Sequence, residues 1–140
     1  MNPAEWLVRT SLRAPNSPAI LHGTKLWACY EEFAARAAYM AAALQKLGVK
    51  PGDRIGLFTT NRPEYLIILH GIWWLGAVPV PINNKLHCKE TAWILENSEA
   101  SMAFVSEDIG AELRAIETCP LHFVDGPEFC QFSQETPWPQ

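Results

Sequence analysis

Between residues 31 and 47 the apolar side chains Phe33, Ala37, Met40, Leu44 and Leu47 recur at intervals of three and four. That spacing lines one face of an α-helix. Alanine fills many of the other positions, and Gly48 stands where a left-handed residue closes a helix. Cys29 followed by Glu32 has the spacing of a capping box, with a thiol in the place of the usual hydroxyl. Upstream, residues 3–13 read as a short helix that Pro15, Asn16, Ser17 and Pro18 terminate. Ala19–Leu21 and Leu26–Ala28 flank His22-Gly23-Thr24-Lys25, the pattern of a small hairpin.

Downstream, the pattern alternates between short apolar runs and helical periods. Pro51-Gly52 suits a type II turn, with Asp53 tying down the local backbone. Ile55–Phe58 reads as a buried strand. Asn61, with Glu64 three residues later, predicts the cap of a helix that Gly76 stops after Leu75. Val78–Ile82 reads as a strand whose two prolines leave one side of it poorly paired or at an edge. His87–Asn97 is a third long helix and Met102–Val105 another strand. Ser106 is placed to cap a fourth helix with Ile109, Leu113 and Ile116 on one face. Leu121–Val124 closes the series. Strand–helix alternation of this kind predicts parallel strands joined by right-handed crossovers. The expected fold is α/β: a mostly parallel sheet of about four strands with helices on both faces, preceded by an N-terminal helix and a small hairpin. Residues 1–125 are expected to form that unit and the proline-bearing stretch 126–140 a tail or linker.

Tyr65 to Asn84 is a run of 20 residues without Lys, Arg, Asp or Glu, about the length of a membrane span. Pro79 and Pro81 lie within it, and no helix continues through them. A buried helix followed by a buried strand accounts for the run, so no transmembrane segment is expected. A membrane-associated protein is the reading that this run alone would support.

The composition narrows the class. With 49% hydrophobic and 19% charged residues in 140, the chain is not disordered, and its length suits one domain. The net charge of −4 argues against general affinity for nucleic acid. Charge is uneven, +3 over residues 1–70 and −7 over residues 71–140, the mark of a solvated acidic face. Cys29, Cys88, Cys119 and Cys130 form no Cys-x-x-Cys pair, and residues 1–13 lack a secretory pattern. Free thiols in a reducing, cytoplasmic setting are expected.

Chemistry-bearing motifs are scarce. No two glycines form Gly-x-Gly, and no Gly-Lys-Ser/Thr or Gly-x-Ser-x-Gly occurs, so no phosphate loop or nucleophile elbow is written here. His87 and Cys88 are adjacent, and on a helix neighbouring side chains diverge. His22, His70 and His122 are isolated. Glu31, Glu32, Glu64, Glu90, Glu107 and Asp108 fall at predicted helix starts, where the helix dipole explains them. No catalytic residue and no metal site is expected.

Four stretches in order resemble the adenylate-forming, AMP-binding superfamily, and within it the fatty-acyl and aryl-acid CoA ligases. Trp27-Ala28-Cys29-Tyr30-Glu31-Glu32-Phe33 resembles that family's entry to its first long helix. Leu47-Gly48-Val49-Lys50-Pro51-Gly52-Asp53-Arg54-Ile55 is similar to its Gly-Val-x-x-Gly-Asp-Arg-Val turn and strand. Leu75-Gly76-Ala77-Val78-Pro79-Val80-Pro81-Ile82-Asn83 is similar to its Gly-Ala-x-x-x-Pro-Leu-Asn segment, and Ile94 to Ala100 resembles its Leu-x-Asp-Ser-x-Ala run. Asn83, where the peptide-synthetase branch usually carries Asp, favours the CoA-ligase branch.

The resemblance implies an N-terminal portion of an ATP-dependent enzyme that converts a carboxylic or fatty acid to an acyl-adenylate and then to an acyl-CoA. The family's phosphate loop, its adenine- and Mg²⁺-binding segments and its C-terminal catalytic lysine have no counterpart in these residues. ATP, Mg²⁺ and CoA are therefore expected of the full-length enzyme, with none bound by this chain and no catalysis by it alone. One cofactor-binding position transfers: Lys85 matches an arginine that some family ligases place near the CoA nucleotide phosphate, with a solvated loop lysine as the alternative. The expected partner is the remainder of the synthetase chain, or a second copy in a homodimer with Trp73, Trp74 and Trp138 in an apolar patch. The rival reading is a stand-alone, non-catalytic binding or dimerisation module with the same fold.

Overall fold

The computed structural model describes residues 2–127, 129 and 132. Helix α1 (Ala4–Arg13) leads into an antiparallel hairpin of β1 (Pro18–His22) and β2 (Lys25–Cys29). Leu21 pairs with Leu26 and His22 with Lys25 across a two-residue loop. Gly23 adopts φ 65° in that loop, a conformation open to glycine at little cost. Helix α2 (Tyr30–Lys46) follows directly. Its Glu32 carboxylate accepts from the Cys29 N–H at 3.3 Å and from the Cys29 thiol at 3.2 Å. Both donors hold the Glu32 carboxyl below its ordinary pKa. Gly48 closes the helix at φ 90°.

The predicted turn at Pro51-Gly52 is present: the Asp53 N–H reaches the Lys50 carbonyl at 3.0 Å, and Asp53 Oδ2 accepts the Lys50 N–H at 2.9 Å. It delivers the chain into β3 (Arg54–Phe58). The remaining elements are α3 (Pro63–Leu75), β4 (Val78–Pro81), α4 (Cys88–Asn97), β5 (Met102–Val105), α5 (Glu107–Gly110), a 3-10 turn at Ala111–Ala115 and β6 (Leu121–Phe123). The four long-range strands are all parallel, in the order β4-β3-β5-β6. Successive residues of β3 face opposite sides. Ile55 and Leu57 enter a core with α1, α2 and α3. Phe58 enters a second core with α4 and Leu113. Helices thus cover both faces, as expected for parallel strands.

The charge-free run divides into α3 and β4, but β4 is not the buried strand expected: Val78 and Pro81 are exposed, because β4 has a neighbour on one side only. No helix among the described residues is long and apolar enough to cross a membrane. The prolines of β4 have a geometric reason. The N–H groups of Val78 and Ile82 donate inward to Asp53 and Leu57 of the β3 segment. Period-two alternation puts Pro79 and Pro81 at the intervening positions, where an N–H would point to the open edge.

Two local expectations are corrected. Asn61 does not cap α3. Arg62 occupies that place because Pro63 takes the first helical position, where its missing N–H costs nothing. The predicted fourth helix is one turn of α5 followed by the 3-10 turn. Gly110 lies so close to β5 that a Cβ there would collide with Val105 Cγ1. The Ser106 hydroxyl also serves another strand's loop instead of the helix, accepting the Thr60 N–H at 3.0 Å.

Core packing continues past residue 125. Phe132 is buried, its ring 5.1 Å from that of Phe104 and 5.4 Å from that of His122. Of the expected tryptophan patch, Trp73 and Trp74 are half-buried and Trp138 lies outside the described residues, as does Cys130. Among the described residues, the exposed tryptophans are Trp6 and Trp93.

Candidate functional site

The chain leaves β3 toward β4 on one side and leaves β5 toward β6 on the other. The reversal falls between β3 and β5, and open α/β sheets take ligands outside the carboxyl ends of strands at such a point. Three loops converge there. After β3, Thr60 Oγ1 donates to Asp108 Oδ2 at 3.0 Å and accepts from Arg62 at 3.1 Å. After β5, the Glu107 N–H meets both carboxylate oxygens of Asp125, at 3.1 and 3.3 Å. Arg62 stands 4.0 Å from the same Asp125. Arg114 grips Glu107 through two contacts of 2.7 Å, with its guanidinium carbon 3.7 Å from the centre of the Phe123 ring.

Glu107, Arg114, Phe123 and Asp125 of this group, with Gly126 and Pro127, line a cleft of about 720 Å³. Its charges are largely matched among themselves. The Arg114 guanidinium holds the Glu107 carboxyl below its usual range, and the Ser106 hydroxyl does the same for Asp108. Carboxylates held ionised in this way do not serve as proton donors near neutral pH. The network pins three loops together. Thr59 Oγ1 and Arg62 Nε are buried without a hydrogen-bond partner among the described residues.

Lys85 lies on the loop after β4, at the edge of the sheet. The Asn83 side chain accepts the Lys85 N–H at 2.9 Å and the Asn83 carbonyl accepts the Leu86 N–H at 3.1 Å. This tight turn leaves the Lys85 side chain exposed just before α4. His87 caps that helix: Nδ1 accepts the Lys89 N–H at 3.2 Å, and Glu90 accepts the His87 N–H at 3.3 Å. Cys88 turns inward, its thiol donating to the Ile109 carbonyl at 3.3 Å. Burial, with Glu112 nearby, pushes that thiol's pKa up. His87 and Cys88 therefore diverge, as expected, and the thiol is protonated and unreactive. The exposed side of α4 carries a groove of about 420 Å³ lined by Leu86, Lys89, Glu90, Trp93 and Ile94. Lys89 and Trp93, four residues apart, share a helical face. That spacing was visible in the sequence, although the sequence reading singled out Lys85 alone.

Residues 7–135 match the model of a family described as AMP-binding enzyme. The chain belongs to this AMP-binding enzyme family. Its relatives include a feruloyl-CoA synthase of Amycolatopsis, 33% identical over 133 residues that cover 94% of this chain and 27% of that protein. A crotonobetaine/carnitine–CoA ligase of Escherichia coli is 43% identical over 60 residues, 43% of this chain and 12% of that protein. This AMP-binding family member thus spans about a quarter or less of the curated relatives it matches. Among solved structures, the N-terminal domain of FACL13 from Mycobacterium tuberculosis superposes with a TM-score of 0.89 at 23% identity, covering 98% of this chain and 37% of that one. A benzoate CoA ligase from Burkholderia xenovorans gives 0.89 at 24% identity, covering all of this chain and 30% of that one. At that identity the likeness shows the fold.

Proposed function

We propose that this chain is the N-terminal portion of an ATP-dependent, AMP-forming acyl-CoA synthetase. The whole enzyme would join a carboxylic acid to AMP with release of pyrophosphate, and then transfer the acyl group to the thiol of CoA. The observation that carries this reading is the family match over residues 7–135. The CoA-ligase names of the relatives agree with it.

The role of these residues is structural support and substrate approach. The loops at the carboxyl ends of β3, β5 and β6 form a rigid rim, because each is hydrogen-bonded to another. Lys85 would meet a phosphate of the CoA nucleotide as a point charge, without the bidentate grip of an arginine. The residues present do not fit a Mg²⁺ site: among the described residues, no group of three or more His, Cys, Asp or Glu is placed to hold a metal. No step through the metal is assigned to them. The expected setting is the cytoplasm. The expected partner is the rest of the synthetase, or a second copy covering exposed Leu21 and Leu26 on the hairpin; a monomeric mass by light scattering would remove the second copy.

The decisive experiment is an acid-panel CoA-ligation assay on the full-length gene product, with ATP–pyrophosphate exchange on the 140-residue chain alone. The expected result is acid-dependent thioester formation by the former and no exchange above a blank by the latter. A full-length product that forms no adenylate with any acid would overturn the reading.

A further inference from the structure

A third cavity lies between β2, α2 and the start of α3. Its volume is about 450 Å³, within the range of small-molecule sites. It shares no lining residue with the cleft at the strand ends or with the α4 groove. Trp27, Ile67 and Phe132 supply apolar wall, and Ile67 and Phe132 are themselves buried in the core.

Two charged side chains line this largely apolar space. Arg36 comes from α2 with its guanidinium carbon 4.4 Å from the centre of the Trp27 ring. Stacking occupies the guanidinium face and leaves its in-plane N–H donors free to bind. Glu64 comes from the first turn of α3. Both are half-buried. Neither makes a side-chain hydrogen bond among the described residues, and no ion pair joins them. The other charge acting near Arg36 is Glu32, which is exposed and already bonded to Cys29.

Opposite charges that share an apolar cavity without meeting each other specify a ligand that carries both charges. We propose that this cavity binds a small zwitterion with an apolar body, of the class of α-amino acids with an aromatic or branched side chain. The carboxylate meets Arg36, the ammonium meets Glu64, and the side chain lies against Trp27, Ile67 and Phe132. Charge-assisted hydrogen bonds at the two heads set the orientation. The aromatic wall contributes apolar contact area. No bond is made or broken, and the site is independent of the adenylate-forming reaction.

The test is an NMR titration of the full chain with three probes: L-phenylalanine, 3-phenylpropanoate, which lacks the ammonium, and 2-phenylethylamine, which lacks the carboxylate. L-phenylalanine is expected to shift the amides of Trp27, Arg36, Tyr39, Glu64 and Ile67 saturably. Each singly charged analogue should bind about tenfold more weakly, the loss of one charged contact. Arg36→Gln should weaken L-phenylalanine and leave 2-phenylethylamine unchanged, whereas Glu64→Gln should weaken L-phenylalanine and leave 3-phenylpropanoate unchanged. Unaltered amide dispersion shows that each variant is folded. Where a variant fails to fold, the three-probe ranking on the wild-type chain decides. No saturable shift up to about 10 mM probe, shifts confined to another surface, or equal affinity for the three probes would overturn the proposal.

Discussion

The imidazole of His70 meets the ring of Phe33 edge-on across the α2–α3 interface, with centroids 4.7 Å apart. The Trp73 ring lies 5.2 Å away, also edge-on. The ring hydrogen-bonds through Nδ1 to the Leu66 carbonyl at 2.9 Å. Burial lowers the His70 pKa, and the bond to the carbonyl only partly opposes this. The unfolded chain therefore binds a proton that the folded chain does not, from about pH 6.5 downward to the folded value. Stability should fall as the pH is lowered through that window. Urea unfolding midpoints at several pH values would measure this, and His70→Gln should flatten the dependence. An unchanged slope in that variant would assign the effect elsewhere.

Gly71, one residue on, lets α3 approach α2. A Cβ there would collide with Met40 Cγ, lie 2.7 Å from Met40 Cβ and come within 3.3 Å of the Ala37 carbonyl. Gly71→Ala gains helix propensity of about 1 kcal/mol. It should still destabilise the protein, because overpacking of a filled core costs about 1–3 kcal/mol. Chemical denaturation of the variant checks the sign. Stabilisation would mean that the flexible Met40 side chain moves aside.

The Ser106 side chain is fully buried and joins the loops after β3 and β5 through the Thr60 N–H. Ser106→Ala leaves that donor unmatched. A loss of about 1–3 kcal/mol is expected, with faster hydrogen exchange at the Thr60 amide. Ser106→Thr, which retains the oxygen, should lose less.

Pro79 and Pro81 leave the outer side of β4 without donors at two successive outward positions. A chain carrying both Pro79→Val and Pro81→Val should keep its fold and gain a pairing-competent edge. Time-resolved light scattering is expected to show faster self-association than in the wild type. Equal rates would mean that other features protect this edge.

Lys85 offers a prediction for the whole enzyme. Lys85→Ala should raise the KM for CoA about two- to fivefold, the size of one exposed charge pair of up to about 1 kcal/mol. The adenylation half-reaction should be unchanged. An effect on pyrophosphate exchange alone would place Lys85 elsewhere in the cycle.

Much of the fold was legible because each element carries its own periodicity. The Phe33–Leu44 stripe of α2, the turn at Pro51-Gly52 and the apolar run of β3 are local patterns, and they need only neighbouring residues. The errors arose where a local signal met a competitor. Asn61 is a good cap, but Pro63 is better used as the first residue of α3. The period of Ile109, Leu113 and Ile116 is real, yet close contact between Gly110 and β5 accompanies a helix of one turn. The candidate site was legible only in part. Lys85 stood out through a resemblance, whereas Arg62, Asp108 and Asp125 meet only because three strand ends converge.

The sequence by itself determined the order of elements, the parallel arrangement and the donor-poor side of β4, since periodicity, turn chemistry and proline's missing donor act over a few residues. The tertiary structure alone decided that β5 lies beside β3, which side chains cross-link the loops, and that Arg36 and Glu64 share one cavity. Those relationships join residues far apart in the chain. They depend on which side of β3 the connection after β4 returns to, a choice that the packing of two whole faces makes and no short pattern encodes.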